Sequence, residues 1–134
     1  MGAEQFYGAW RLVSFETRRS TGEVSQPLGP NPVGLIIWDK SGRFSAQLMH
    51  GDLPPDRTSG DAEVLRYVAY FGWFEVDDDR GVLTHHVDGA LTPNMLGVDQ
   101  ERWFTFTDAR LELRPPSFEQ EGVTSESVLT WERS

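Results

Sequence analysis

Apolar and polar residues alternate in short runs along this chain, and residues that favour turns break the runs. Successive side chains of a strand point to opposite faces, so such alternation predicts half-buried strands rather than helices. Runs of this kind occupy residues 9–16, 35–38, 43–49, 70–76, 82–88, 99–106, 111–113 and 127–133. The turn Asp39-Lys40-Ser41-Gly42 predicts a hairpin between the second and third runs. Asp77 to Gly81, Thr92-Pro93-Asn94 and Thr107 to Arg110 separate the later ones. Arg114-Pro115-Pro116 ends the seventh, because proline has no N–H to give to a ladder. Two stretches read as loops: residues 17–32, with a Pro-rich end, and residues 50–61. Residues 62–66 read as one helical turn capped by Asp61.

Many short sequential strands with almost no helix predict a sandwich or an up-and-down barrel. The barrel is the better reading. Closure removes the unpaired edges that strands this aromatic would otherwise present. The expected fold is therefore all-β: one domain over residues 1–134, a single eight-stranded antiparallel barrel. Eight strands leave room inside for side chains or one small ligand. The loops 17–32 and 50–61 are candidate lids at its mouth.

Composition narrows the function. The 134 residues include five Trp, eight Phe and three Tyr, a density that suits strands, cores and apolar cavities. A formal net charge of −9 repels phosphate backbones and anionic lipids, so neither nucleic acid nor a membrane surface is an expected partner. There is no cysteine, hence no disulfide framework and no thiolate chemistry. The N-terminus lacks the basic and apolar regions of a signal peptide, and no apolar run approaches the ~20 residues of a membrane helix. A soluble cytoplasmic protein is expected.

The candidate chemistry sits on the strands at 82–88 and 99–106. His85 and His86 are adjacent, so they must point to opposite sides of the sheet. His85 is the one expected to face inward, since its face mates Leu83 and Val87 are apolar. Either histidine offers a proton donor or acceptor near neutrality, or a structural hydrogen bond to a neighbouring strand. Gln100, Arg102, Phe104 and Phe106 share one face. An arginine on an otherwise apolar face is costly to bury alone. It predicts either a site for an acidic or carbonyl group or an ion pair with Glu75 or another interior carboxylate. The candidate catalytic set is thus His85, His86 and Arg102. Tyr70, Phe74, Ser45, Gln47, Met49, Asn94, Gln100 and Phe104 are candidate ligand contacts, mostly apolar with a few polar groups. Trp10 and Trp131 are expected to close one barrel end, with Arg133 stacked on Trp10. No metal site is expected, because His85 and His86 diverge, and no cofactor is expected. The chain has no Gly-rich phosphate loop, no Gly-x-Ser-x-Gly elbow and no EF-hand spacing.

Gly8-Ala9-Trp10 matches a Gly-x-Trp signature near the start of a first strand, and Trp131-Glu132-Arg133 places an arginine on the last. Between them lie Pro27-Leu28-Gly29, Gly42-Arg43-Phe44-Ser45-Ala46, Tyr70-Phe71-Gly72, His85-His86-Val87, Pro93-Asn94, Gly97, Gln100 and Arg102. In this ordered set the chain resembles the small lipocalin-like domain proteins of bacteria and fungi. The resemblance implies an eight-stranded barrel with an internal cavity. It implies little about activity: related lipocalin-like barrels serve as carriers of apolar molecules, and some act as cyclases or isomerases in natural-product pathways. The absence of a signal peptide and of cysteine argues against extracellular transport. The Pro-rich loop after the first strand replaces the helix pair of fatty-acid-binding proteins.

Three functions are therefore open at this point. One is an intracellular barrel that binds a small, largely apolar or weakly acidic molecule of the natural-product or polyketide-like kind. Another is a cofactor-free cyclase or isomerase, with the inward histidine as acid/base and Arg102 as electrostatic stabiliser. The third is a structural or partner-binding barrel whose interior is filled and dry.

Overall fold

The structure, a computed structural model, describes residues 2–52 and 67–134. The helical turn expected at 62–66 and most of the loop at 50–61 lie outside the described residues. A 3-10 turn at Gly2–Gln5 precedes ten strands. These are β1 (Gly8–Arg19), β2 (Val24–Ser25), β3 (Val33–Trp38), β4 (Arg43–Met49), β5 (Val68–Asp77), β6 (Val82–Ala90), β7 (Asp99–Thr107), β8 (Arg110–Arg114), β9 (Phe118–Gln120) and β10 (Val123–Arg133). All pairings are antiparallel, and β1 pairs with both β3 and β10. That double pairing closes the eight long strands into a barrel. The short β2 and β9 lie outside the ring, each paired to the end of a long strand.

β1 and β10 run further than their apolar patterns predict. Beyond Glu16 the ladder continues through Thr17↔Ser127, Arg18↔Glu126 and Arg19↔Ser125. Backbone pairing needs no apolar side chain, so these polar pairs extend both strands invisibly to a hydrophobicity pattern. A bulge at Val13 changes which residues face inward. Trp10 and Leu12 point in before it, and Phe15 after it.

One barrel end is plugged by aromatic packing. Phe6 is fully buried and meets Trp38, Phe104 and Phe106 edge-on at 5.0–5.3 Å between ring centres. Edge-to-face contact is the favoured geometry for aromatic quadrupoles. The Trp10 indole N–H donates to the Phe6 carbonyl at 2.9 Å. The Arg133 guanidinium lies 4.3 Å over the Trp10 ring, as expected, and donates to the carbonyls of Tyr7 and Gln5. One glycine here is obligatory. At Gly72, where β5 meets a bulge in β6, an added Cβ would lie 1.8 Å from the His86 carbonyl oxygen. Among the described residues no helix is long and apolar enough to cross a membrane.

Candidate functional site

Above the aromatic plug the barrel encloses a cavity of about 180 Å³. Its wall draws on nearly every long strand: Phe15, Ile36, Leu48, Val68, Tyr70, His85, Gln100, Arg102, Leu113, Leu129 and Trp131. Leu28, Met95 and Pro115 complete it from connecting segments. The lining is mostly apolar with a few polar groups, the usual character of a small-molecule site.

His85 is buried, and its environment fixes its chemistry. Trp38 donates its indole N–H to His85 Nε2 at 2.9 Å. An indole nitrogen can only donate, so Nε2 is the acceptor and the ring proton sits on Nδ1. Phe44 stacks on the imidazole with ring centres 4.0 Å apart. Desolvation, followed by the positive charge of Arg102, pushes the His85 pKa down to about 3. The side chain of Gln100, its cross-strand partner, lies close enough to act on His85 as a hydrogen-bond partner, short of ideal geometry; it favours the charged form but is outweighed. His85 is a neutral hydrogen-bond donor at any physiological pH.

Arg102 is half-buried on the inner face of β7. One guanidinium N–H donates to the Glu101 carbonyl at 2.9 Å. Among the described residues no carboxylate lies within ion-pair distance of it. Burial lowers its pKa, while Tyr70 acts in the opposite direction. Burial in turn raises the Tyr70 pKa, against the pull of Arg102. The two groups therefore feel each other inside the cavity.

Three buried polar atoms among the described residues lack a hydrogen-bond partner: His85 Nδ1, Gln100 Oε1 and Trp131 Nε1. All three belong to residues lining this one cavity. Most buried polar groups in folded proteins are satisfied, so the convergence of these three at one cavity singles it out as the candidate site. Two wider clefts lie on the outside. One, of about 440 Å³, runs beside Trp103, Arg114 and Pro116; the other, of about 480 Å³, is the acidic groove at Glu75 to Arg80. Neither contains one of these unpartnered atoms.

The structure gathers Tyr70, His85, Gln100 and Arg102 at the cavity and scatters the other predicted site residues. His86 points outward, where Asp99 and Glu75 hold its two nitrogens at 2.6 and 2.8 Å. It cannot reach the interior. Glu75 is therefore the partner of His86, and the anticipated Glu75–Arg102 ion pair is absent. Ser45, Gln47 and Met49 occupy the outer face of β4, because Phe44, Ala46 and Leu48 bury the other face. Phe74 and Phe104 are inward but packed into the core, Phe104 against Phe6. Asn94 is exposed on a 3-10 turn, and the next residue, Met95, reaches the cavity instead. The sequence reading treated Trp131 as packing alone. Its unsatisfied indole N–H makes it a site candidate, and no periodicity could have shown that.

A family model described as a lipocalin-like domain matches residues 7–134, nearly the whole chain. The chain belongs to the lipocalin-like domain family. No curated protein and no solved structure shows a significant match. The lipocalin-like barrel fold supports ligand binding in general, and the interior of this lipocalin-like barrel holds the cavity lined by His85 and Arg102.

Proposed function

We propose that this lipocalin-like barrel carries one small, largely apolar molecule in its cavity, with an acidic or carbonyl group of that molecule at Arg102. The observation that carries this reading is the guanidinium of Arg102, which faces an apolar cavity with no carboxylate partner among the described residues. A buried charge without a partner is costly, and a bound acceptor offsets that cost. A guanidinium presents a fork of donors suited to a carboxylate or polarised carbonyl. The cysteine-free composition is compatible with a role in the cytoplasm.

The cyclase or isomerase reading is weaker. It needs a group that can take a proton, and His85 cannot: Nε2 already accepts from Trp38, and Nδ1 already holds its proton. Among the described residues, no Asp or Glu lines the cavity. Carriage asks only for binding, which these side chains can supply.

Native mass spectrometry of freshly purified protein, followed by denaturation and analysis of what is released, tests the proposal. A stoichiometric organic compound is expected. Arg102→Leu should then lose that compound while keeping its melting temperature within a few degrees. Loss of the fold instead would show that Arg102 is structural, and retention of the compound would remove Arg102 from the site.

A further inference from the structure

Resting on the reading of the cavity as a binding site, we infer that its ligand is a single-ring hydroxy acid: one carboxylate and one hydroxyl on a ring of about benzene size. Size gives the first limit. A cavity of about 180 Å³ is small beside the ~300–1,000 Å³ of drug-sized sites. An engineered apolar cavity of ~150 Å³ holds benzene. One ring with two small substituents fits, whereas a polycyclic skeleton or a long acyl chain does not.

The polar groups give the second limit. Trp131 Nε1–H is a buried donor without an acceptor, and His85 Nδ1–H has only the neighbouring Gln100 side chain to turn to. Arg102 adds a cation with further N–H donors. Against these stands one acceptor, Gln100 Oε1, which keeps a second lone pair even where it accepts from His85. The inventory is donor-rich and positive, so the ligand is acceptor-rich and negative. Its carboxylate oxygens accept from Arg102 and from the indole or imidazole N–H, and its hydroxyl donates to Gln100. Ordered water would satisfy the neutral atoms but would leave the Arg102 charge without a counter-charge. The ring itself lies against Ile36, Leu48, Leu113 and Leu129.

The test is calorimetric titration of the full chain at pH 7 with benzoate, the three hydroxybenzoates, toluene and benzyl alcohol. At least one hydroxybenzoate should bind tenfold or more tighter than benzoate, and benzoate tenfold or more tighter than either neutral compound. Gln100→Leu should erase the advantage of the hydroxyl and leave benzoate unaffected. Arg102→Met should erase the advantage of the carboxylate while toluene still binds. If toluene binds as tightly as the acids in the native protein, the cavity is a binding site and the hydroxy-acid class is wrong. If no one-ring compound binds, toluene included, the reading of the cavity as a site for a molecule of this size falls as well. The ranking in the native protein decides both points even where a variant does not fold.

Discussion

His85 points into the barrel, where Trp38 donates to its Nε2 and Phe44 covers its ring. His86, one residue along β6, points out, where Asp99 and Glu75 hold its two nitrogens and Trp73 stacks on it at 3.8 Å. One sheet thickness separates the two rings, and their chemistry is opposite. Inside, desolvation dominates and no anion among the described residues offsets it, so the imidazole stays neutral with its pKa pushed down to about 3. Outside, hydrogen bonds to two carboxylates favour the imidazolium and raise the pKa, although partial desolvation works against them. Partners and solvation, not residue type, decide whether a histidine is a donor, a base or a cation. His85 is held as a hydrogen-bond donor beside the cavity, and His86 is tied to Glu75 on β5 and Asp99 on β7.

The largest measurable consequence lies with His85. Its pKa is lowered on folding, so the unfolded chain binds the proton more tightly. The stability it contributes is fully present above its unfolded value near 6.5 and is lost as pH falls from there toward 3. The slope from this one group approaches about 1.4 kcal/mol per pH unit. Replacing it by an uncharged acceptor, His85→Gln, should flatten that slope. Urea unfolding at pH 7, 5 and 4 should therefore show the native protein losing stability faster than the variant, by several kcal/mol over the range. Parallel curves would mean that His85 is not held neutral by burial.

A second, smaller effect separates the hydrogen bond from the burial. Trp38→Phe removes the indole donor at His85 Nε2 and leaves a buried acceptor with no other donor among the described residues. The expected cost is about 2 kcal/mol at pH 7. Combined with His85→Leu, the same substitution should cost clearly less, since no acceptor is then stranded. A double-mutant cycle read from thermal unfolding checks this. An unchanged cost in the His85→Leu background would assign the loss to indole packing alone.

The inner half of this comparison was largely legible in the sequence. Leu83 and Val87 flank His85 at two-residue spacing, and Phe104 and Phe106 follow Arg102 in the same way. Apolar face mates identify an inward face, and the structure places His85 and Arg102 there. β4 was harder to read. Leu35, Ile37, Phe71 and Trp73 keep the outer face of β3 and β5 apolar and partly exposed, so polarity did not separate inside from outside in this region. Choosing Ser45, Gln47 and Met49 for the cavity put the more polar face inward. Burial instead selected Phe44, Ala46 and Leu48, as transfer of apolar area from water requires. The reach of Met95 depends on a 3-10 turn, where strand alternation carries no information. The unpartnered nitrogen of Trp131 depends on what eight strands bring together, which no local pattern contains.

The smallest effect tests the outer half. Because the His86 pKa is raised on folding, its contribution has the opposite sign to that of His85. It is present below the unfolded value near 6.5 and is lost as pH rises through the folded value. His86 touches solvent and both its carboxylate partners are well exposed, so screening keeps the gain small, under about 1 kcal/mol. His86→Gln should narrow the difference in melting temperature between pH 6 and pH 9, and 1 M salt should narrow it in the native protein. The His85→Gln variant should show a larger difference, since it lacks the opposing loss that His85 brings as pH falls below its unfolded value near 6.5. A difference that survives His86→Gln unchanged would move the alkaline sensitivity to another group. It would also leave the stacked Trp73, rather than the two carboxylates, as the reason His86 holds its place on the outer wall.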